Sequence, residues 1–478
     1  MAVAGMDLTQ GNLFKNLVKL SLPIMFSNFL QMFYNLTDAF WLGKLGEHAR
    51  HAVSVVGLAF PLIFFLSSFG FGFVIAGTSL IAQYKGANQM DKMKEVVGQF
   101  FLIMVLFSII FLVVGLLFIN DILNILQTPD VIFHLAKQYI TIILIGMIFM
   151  FVSLSYQSFS HGLGDTISPM KIQLIAVGLN VVLDPFMIFG IGFFPRMETI
   201  GAAWATFISR ALAAVIAVVF LFKKTPYIIP KLSEIKPAKE MLKRILRISI
   251  PASLAQSMTG FGFIILQGFV NSFGTIVMAA YAINNRIIGF FMMPAMGISN
   301  GLSSIIGQNI GARKIRRAEK SVNVAFILVF AIMFTGCMLV YFFGGSITKF
   351  FINDLQVIDV GRRMFKVTPI AACLFGTLFV FIGAFNGSGH TKPVMLLNII
   401  RLWLIRIPLV YILSGTVLHI AFLKDSFLYP LLYRLSLPLS TYPYESLWWS
   451  MVVSNSICGI VAYFIYKKGD WKKPRINT

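Results

Sequence analysis

Hydrophobic residues in this chain form long runs bounded by charged residues, Gly or Pro. A helix of about 20 apolar residues crosses a bilayer, and runs of that length recur along the whole sequence. They predict an all-α polytopic membrane protein with twelve transmembrane helices, at 17–42, 52–83, 97–119, 135–160, 171–194, 200–222, 245–271, 277–309, 321–343, 364–386, 393–416 and 446–466.

The connections divide these helices into two sets of six. Residues 223–247 contain eight Lys or Arg and two Glu, and basic connections stay on the cytoplasmic side. We therefore predict an N-terminal lobe (1–222), a cytoplasmic linker (223–247) and a C-terminal lobe (248–478), with both termini cytoplasmic. No cleaved signal peptide is predicted. The long connection at 417–445 is expected to be an external loop.

Short motifs recur in the same order in both halves, which predicts an internal repeat. Because each half has an even number of helices, the halves share one orientation, and we expect a substrate cleft between them. The matching pairs are LSLP (20–23) and ISIP (248–251), AQYKGA (82–87) and GQNIGA (307–312), HGLGDTISP (161–169) and NGSGHTKP (386–393), and GAAWATFIS and SLWWSMVVS.

Composition agrees with a membrane location. The chain is 58% hydrophobic and 12% charged, with a mean hydropathy of +0.84. Its net charge of +21 is read as a topology signal in the connections, so no nucleic-acid partner is expected. The three cysteines lie in apolar runs without metal or redox spacing. No catalytic constellation or nucleotide-binding loop is present, so we predict that the protein is not an enzyme.

Only two of the 18 acidic residues, Asp38 and Asp184, interrupt predicted helices. Intramembrane carboxylates are functional candidates because the charged form is costly in a bilayer. Asp184 is expected near mid-membrane. Asp38 lies nearer the outer end of its helix, where an ordinary boundary acid is an alternative. Straight helices would separate the two by about 9 Å in depth, so a bent or offset first helix, or two separate sites, remain open.

Polar residues at helical spacing accompany the acids and form four stripes. These are Gln31, Tyr34, Asn35 and Asp38; Gln173, Asn180 and Asp184; Ser153, Tyr156, Gln157 and Ser160; and Thr206 and Arg210. They fit one shared polar cavity, although such residues also hold transmembrane helices together. Pro185 can free backbone carbonyls beside Asp184, which would allow a Na⁺ site; a structural kink is the alternative.

The second half lacks intramembrane acids at the matching positions, Leu266 and the Ile407–Pro408 region. Ion chemistry is therefore predicted in the first half alone. The second half instead carries Arg286, Arg401 and Arg406 in its helices. Either these side chains pair with carbonyls or extend to the interface, or they form a site for an anionic headgroup.

Several segments together resemble the multidrug and toxic compound extrusion transporters. They are LSLP, QMFYNLTDAFWLG (31–43), QYKGA, HGLGD, LNVVLDP (179–185) and GAAWAT (201–206). The pattern looks closest to the branch of the DNA-damage-inducible F proteins. The resemblance implies twelve helices in two lobes and efflux of cationic or amphipathic compounds driven by H⁺ or Na⁺.

The resemblance also implies site residues. Asp38, Asn180, Asp184 and Thr206 would bind the proton or Na⁺. By resemblance, Gln31, Tyr34, Tyr139 and Gln157 line the same cavity. The polar stripes add Asn35 and Arg210 to it. Arg210 departs from the family pattern, and its positive charge would weaken Na⁺ binding.

The sequence thus predicts an ion-coupled antiporter of the cell membrane that works by alternating access. We expect a monomer whose partners are the bilayer and a small-molecule substrate, with no cofactor besides the coupling ion. The alternative is a flippase for lipids or lipid-linked oligosaccharides.

Overall fold

The computed structural model describes residues 5–192, 194–231, 237–416, 429–439 and 441–476. These residues form twelve long helices and, over the described ranges, no strand. The helices are α1 Leu13–Gly43, α2 Ala49–Gly86, α3 Met90–Leu117, α4 Asp130–Leu163, α5 Ile167–Phe189, α6 Glu198–Lys224, α7 Lys239–Ser272, α8 Thr275–Gly311, α9 Ile315–Phe351, α10 Leu355–Gly387, α11 Thr391–Leu413 and α12 Ser446–Lys468. Within α11, Ile400–Arg406 is π-helical.

Eleven helices of the described chain are long and apolar enough to cross a membrane, judged by length and composition. The exception is α1, which has 31 residues. Its hydropathy is lowered by Asn28, Gln31, Asn35 and Asp38. The long helix that is missing from these eleven is therefore the one that carries the first predicted polar stripe.

The helices often extend beyond the apolar runs that predicted them. Helix α9 spans Ile315–Phe351, whereas the predicted span was 321–343, because a helical backbone continues past the apolar segment. Helix α5 differs in the opposite way and ends at Phe189 rather than 194. Gly190 follows it with a left-handed φ of 72°, a conformation that ends helices and favours glycine.

Two predicted connections can be followed only in part. Helix α6 continues to Lys224 and α7 begins at Lys239, so much of the predicted linker is helical, and residues 232–236 lie outside the described residues. Of the predicted external loop, residues 417–428 and 440 lie outside the described residues. A short helix covers Tyr429–Ser436.

The two halves meet along α2 and α8. Helix α2 packs against α7 and α8, and α1 also packs against α8. Two glutamines from the repeated motif reach across this seam in equivalent ways. The Gln83 side chain donates to Gly387 O at 3.4 Å, and the Gln308 side chain donates to Gly162 O at 3.0 Å. Gly162 and Gly387 themselves belong to another repeated pair, HGLGDTISP and NGSGHTKP, so the seam is built from matched parts of both halves.

Both ends of the described chain bind to the same glutamines. The Leu8 amide donates to Gln308 Oε1 at 3.0 Å, and the Arg475 amide donates to Gln83 Oε1 at 2.9 Å. Leu8 is fully buried. We call this end of the helix bundle the terminal face. The two halves are therefore joined there by backbone and side-chain hydrogen bonds as well as by helix packing.

Candidate functional site

The two intramembrane acids lie at matching positions near the ends of their helices. Asp38 lies five residues before the end of α1 at Gly43, and Asp184 lies five residues before the end of α5 at Phe189. The predicted difference in depth was therefore wrong. It assumed that α5 continues to residue 194, whereas Gly190 ends the helix earlier and leaves Asp184 away from its middle.

The carboxyl groups of Asp38 and Asp184 lie within hydrogen-bonding reach of each other. Asp184 is 0% exposed and Asp38 is half-buried. One oxygen of each, Asp38 Oδ1 and Asp184 Oδ2, is buried without a hydrogen-bond partner among the described residues. The acids therefore form one site, which contains oxygen atoms able to accept a proton or a cation.

Neutral polar side chains surround this carboxyl pair. Asn180 donates to Asp184 Oδ1 at 3.2 Å, one turn earlier on α5. The hydroxyls of Tyr34 and Thr206 lie 2.7 Å apart and join α1 to α6. Asn180 and Thr206 are buried. We call Tyr34, Asp38, Asn180, Asp184 and Thr206 the acid cluster. Helices α1, α5 and α6 position it.

Tyr139 and Arg210 lie close enough to act electrostatically on the cluster. Tyr139, on α4, is buried and lies near both Asp38 and Asp184. Arg210, one turn after Thr206, acts on Asp38. Its Nη1 is buried without a hydrogen-bond partner, and it forms no salt bridge shorter than 4.0 Å with a described residue. A cation next to the acids favours their charged form and repels a second cation.

A second group of polar residues lies further along α1 and α5, towards the terminal face. The Gln173 side chain donates to Gln31 Oε1 at 3.0 Å, and Gln31 lies 3.4 Å from Asn35 Oδ1. Gln31 and Asn35 are exposed. The first two predicted stripes therefore face each other across α1 and α5, and their exposed amides are accessible to a bound compound.

The third stripe does not join the acids. Tyr156 lies near Ser160 and Ser168, and Ser168 accepts a hydrogen bond from Lys224 Nζ at 2.7 Å. Gln157 lies 18 residues after Tyr139 on α4, about 27 Å along the helix. The prediction of one cavity shared by four stripes was thus wrong for this stripe. Helical spacing shows which residues share a face, but not where along the bundle that face meets another helix.

Three buried oxygens could hold a Na⁺ ion. They are Asp38 Oδ1, Asn180 Oδ1 and Asp184 Oδ2, and none has a hydrogen-bond partner among the described residues. Hard cations prefer such oxygen ligands. Helix α5 continues through Pro185 to Phe189, and the three candidate ligands are side-chain oxygens. Among the described residues, Arg210 lies near these oxygens and opposes a cation.

An apolar cavity of about 740 Å³ lies beside α1, between α8 and α9. Phe26 and Phe29 of α1 line it, together with Phe290, Phe291 and Ile332. It does not include the acid cluster, but α1 contributes to both. An amphipathic molecule could therefore meet apolar and polar surfaces of the same helix.

The sequence reasoning missed Gln83 and Gln308, which hold the seam. Their signal was present in the repeated motifs AQYKGA and GQNIGA. These motifs predicted the repeat but not the contact, because a repeat does not reveal that its two copies touch.

Comparisons with known proteins agree with the twelve-helix, two-lobe fold. The MatE family model matches residues 23–186 and 251–412, once in each half. The probable multidrug resistance protein YoeA of Bacillus subtilis is 30% identical over 396 residues, covering 82% of this chain and 85% of that protein. The multidrug export protein MepA of Staphylococcus haemolyticus is 26% identical over 457 residues, covering 95% and 94%.

A solved structure shares the fold over almost its whole length. The outward-facing conformation of a multidrug resistance MATE family transporter of the MOP superfamily superimposes with a TM-score of 0.85, at 22% identity and 98% coverage of each chain. The predicted fold class is confirmed: an all-α polytopic membrane protein with twelve helices in two lobes. With a family model that covers both halves, this chain belongs to the MatE family of membrane transporters.

Proposed function

We propose that this protein is an ion-coupled antiporter that exports cationic or amphipathic small molecules. The observation that carries the proposal is the buried contact between Asp38 and Asp184. Two acids in contact inside a membrane can exchange a proton or a Na⁺ ion for another cation, because each occupant stabilises the same negative charge. The names of YoeA and MepA support export as the physiological direction.

Competition at the acid cluster would couple the two movements. When Asp38 and Asp184 are charged, a cationic compound is attracted to the polar face of α1; when a proton or Na⁺ binds, that attraction is removed. Reciprocal weakening of this kind is the thermodynamic basis of exchange. Asn180 and Thr206 would complete the ion site, and Gln31, Tyr34, Asn35 and Tyr139 would contact the compound.

The closed seam at the terminal face supports alternating access. The basic connections predict a cytoplasmic position for this face, so the conformation described here would be the one closed to the cytoplasm. Separation of the lobes at the seam, with closure of the opposite side, would then open the cytoplasmic side.

Reconstituted transport tests the proposal. Purified protein in liposomes should move ethidium against its gradient when a H⁺ or Na⁺ gradient is imposed. Asp38→Asn and Asp184→Asn should each reduce the rate by more than about tenfold, which corresponds to about 1.4 kcal/mol of activation free energy. Asp91→Asn is the matched control, because the Asp91 side chain is 97% exposed.

Two results would contradict the proposal. One is ethidium export at the wild-type rate by both intramembrane variants. The other is flipping of a fluorescent phospholipid without any ethidium export, which would favour the flippase alternative.

A further inference from the structure

Two arginines are buried in the middle of α11. Arg401 and Arg406 are 2% and 3% exposed. They lie ten and fifteen residues after the start of the helix at Thr391, about 15 and 23 Å along its axis. Arginines near helix ends can extend to the membrane interface, but this depth and burial leave both guanidinium groups inside the second lobe.

The π-helical segment brings the two side chains to one side of α11. In an α-helix, residues five apart point in directions that differ by about 140°. In a π-helix the backbone hydrogen bonds join residues five apart, so such residues lie nearly above one another. The segment Ile400–Arg406 contains both arginines. π-Helical turns are rare and occur frequently at functional sites.

The surroundings of the pair contain no negative charge among the described residues. Arg401 lies over the Phe375 ring of α10 at 4.1 Å and near Cys458 of α12. Arg406 lies 6.0 Å from the Phe263 ring of α7 and close to the Tyr281 side chain of α8. Each neighbouring helix thus contributes a neutral side chain, and neither arginine belongs to a salt bridge between described residues.

The hydrogen-bonding capacity of the pair is incompletely used. Nε of Arg401 and Nε of Arg406 are both buried without a partner among the described residues. The two guanidinium groups also lie close enough to repel each other. Aromatic rings stabilise a cation only modestly, whereas a buried charge without a counter-charge is strongly unfavourable. An anion between or beside the two groups would satisfy the free donors and remove the repulsion.

We propose that Arg401 and Arg406 form an anion-binding site in the second lobe, which accepts a small anion or the carboxylate, sulfonate or phosphate group of an amphipathic molecule. Arginine suits this role because its planar donors match oxyanions in pairs. The Phe263 side chain is 43% exposed, so Arg406 lies close to an exposed part of α7. The site is separate from the acid cluster and does not depend on the proposed export activity.

Equilibrium dialysis with full-length protein in dodecyl maltoside tests the site. The probe is radiolabelled benzoate, and benzamide is its neutral isostere. The wild-type protein should retain benzoate at least tenfold more tightly than benzamide. Arg401→Met and Arg406→Met should each weaken benzoate binding at least tenfold. Arg401→Lys and Arg406→Lys, which keep the charge but lose the paired planar donors, should each weaken it less than the methionine variant at the same position.

The control variant is Arg286→Met, because Arg286 is an exposed arginine on neighbouring α8; its benzoate affinity should equal that of wild type. Competition identifies the source of the anion. Displacement of benzoate by sodium bromide but not by sodium gluconate supports a site for a small inorganic anion, and resistance to bromide supports a site for an organic headgroup. Equal retention of benzoate and benzamide by the wild-type protein would overturn the proposal even if the methionine variants do not fold.

Discussion

The seam at the terminal face can be weakened by a single methyl group. Gly311, at the end of α8, is buried against the backbone of α2, and a Cβ atom there would lie 1.9 Å from Gln83 O. The equivalent Cβ at Gly86 would lie 2.0 Å from Gln308 O. Real Cβ contacts are essentially never shorter than 3.0 Å. In Gly311→Ala, α2 and α8 must therefore separate by about 1.1 Å to close the seam.

The magnitude follows from the cost of overpacking. An added methyl group that forces backbone movement typically costs about 1–3 kcal/mol. This penalty falls on the closed seam alone, because the two helices need not touch when the face is open. A bias of that size changes a two-state equilibrium by about 5- to 150-fold, so Gly311→Ala should populate a conformation that is open at the terminal face.

Distance measurements between spin labels would detect this shift. Labels at Lys92→Cys in α3 and Lys320→Cys in α9 lie on exposed positions near the seam, one in each lobe. The native cysteines, which are all free, are first replaced by alanine. Wild-type protein should give one short distance, and Gly311→Ala should add a longer one.

The matched control is Gly289→Ala, also in α8, where a Cβ would meet nothing within 4 Å. It carries the same gain in helix propensity without the clash. If Gly311→Ala and Gly289→Ala gave the same distance distribution, the seam would not be a contact that limits opening, and the reasoning would be refuted.

Three further predictions concern the acid cluster and the N-terminal segment. Tyr34→Phe removes the hydrogen bond to buried Thr206 and should lower the free energy of unfolding by about 1 kcal/mol, with little additional loss when combined with Thr206→Val in a thermal double-mutant cycle. Arg210→Met removes a cation beside the acids and should increase the stimulation of ethidium export by Na⁺; unchanged stimulation would contradict this role. Burial raises the pKa of Asp7, but hydrogen bonds from neighbouring side chains outweigh that effect, so its pKa ends below the ordinary value. Hydrogen-exchange protection of the Thr9 amide, which donates to Asp7 Oδ1 at 2.9 Å, should therefore persist from neutral pH down to the usual aspartate range near pH 4 and be lost as the pH falls through the lowered pKa, whereas Asp7→Ala should lose it at every pH.

Hydrophobic runs were sufficient to predict the helices, because each run had to satisfy its backbone hydrogen bonds within the bilayer. They could not give the helix ends. The end of α5 depended on the left-handed conformation of Gly190, and the five-residue error there produced the false difference in depth between Asp38 and Asp184. Which branch of the family the chain belongs to, and which ion it couples, remain predictions.

Periodicity located the acid cluster only in part. It placed Asn180 with Asp184 and Thr206 with Arg210, because these pairs are four residues apart on one helix. It assigned Gln157 to the same cavity wrongly, since the meeting point of two helices depends on tertiary packing. The arginines show the opposite failure: an α-helical period would place Arg401 and Arg406 on different faces, and only the π-helical segment brings them together.

The two lobes have matching helices but different charged residues in those helices. The structure explains why the residues at the seam are equivalent in both lobes. Gln83 and Gln308, with Gly162 and Gly387, must meet each other at one face, so a change in either copy would disturb both lobes. Asp184 has no such partner across the seam. Its counterpart helix, α11, carries the buried arginines Arg401 and Arg406 instead, so this matching helix of the second lobe presents basic rather than acidic side chains. Closure of the terminal face therefore relies on residues that match in the two lobes. The proposed binding sites rely on residues that differ between the lobes.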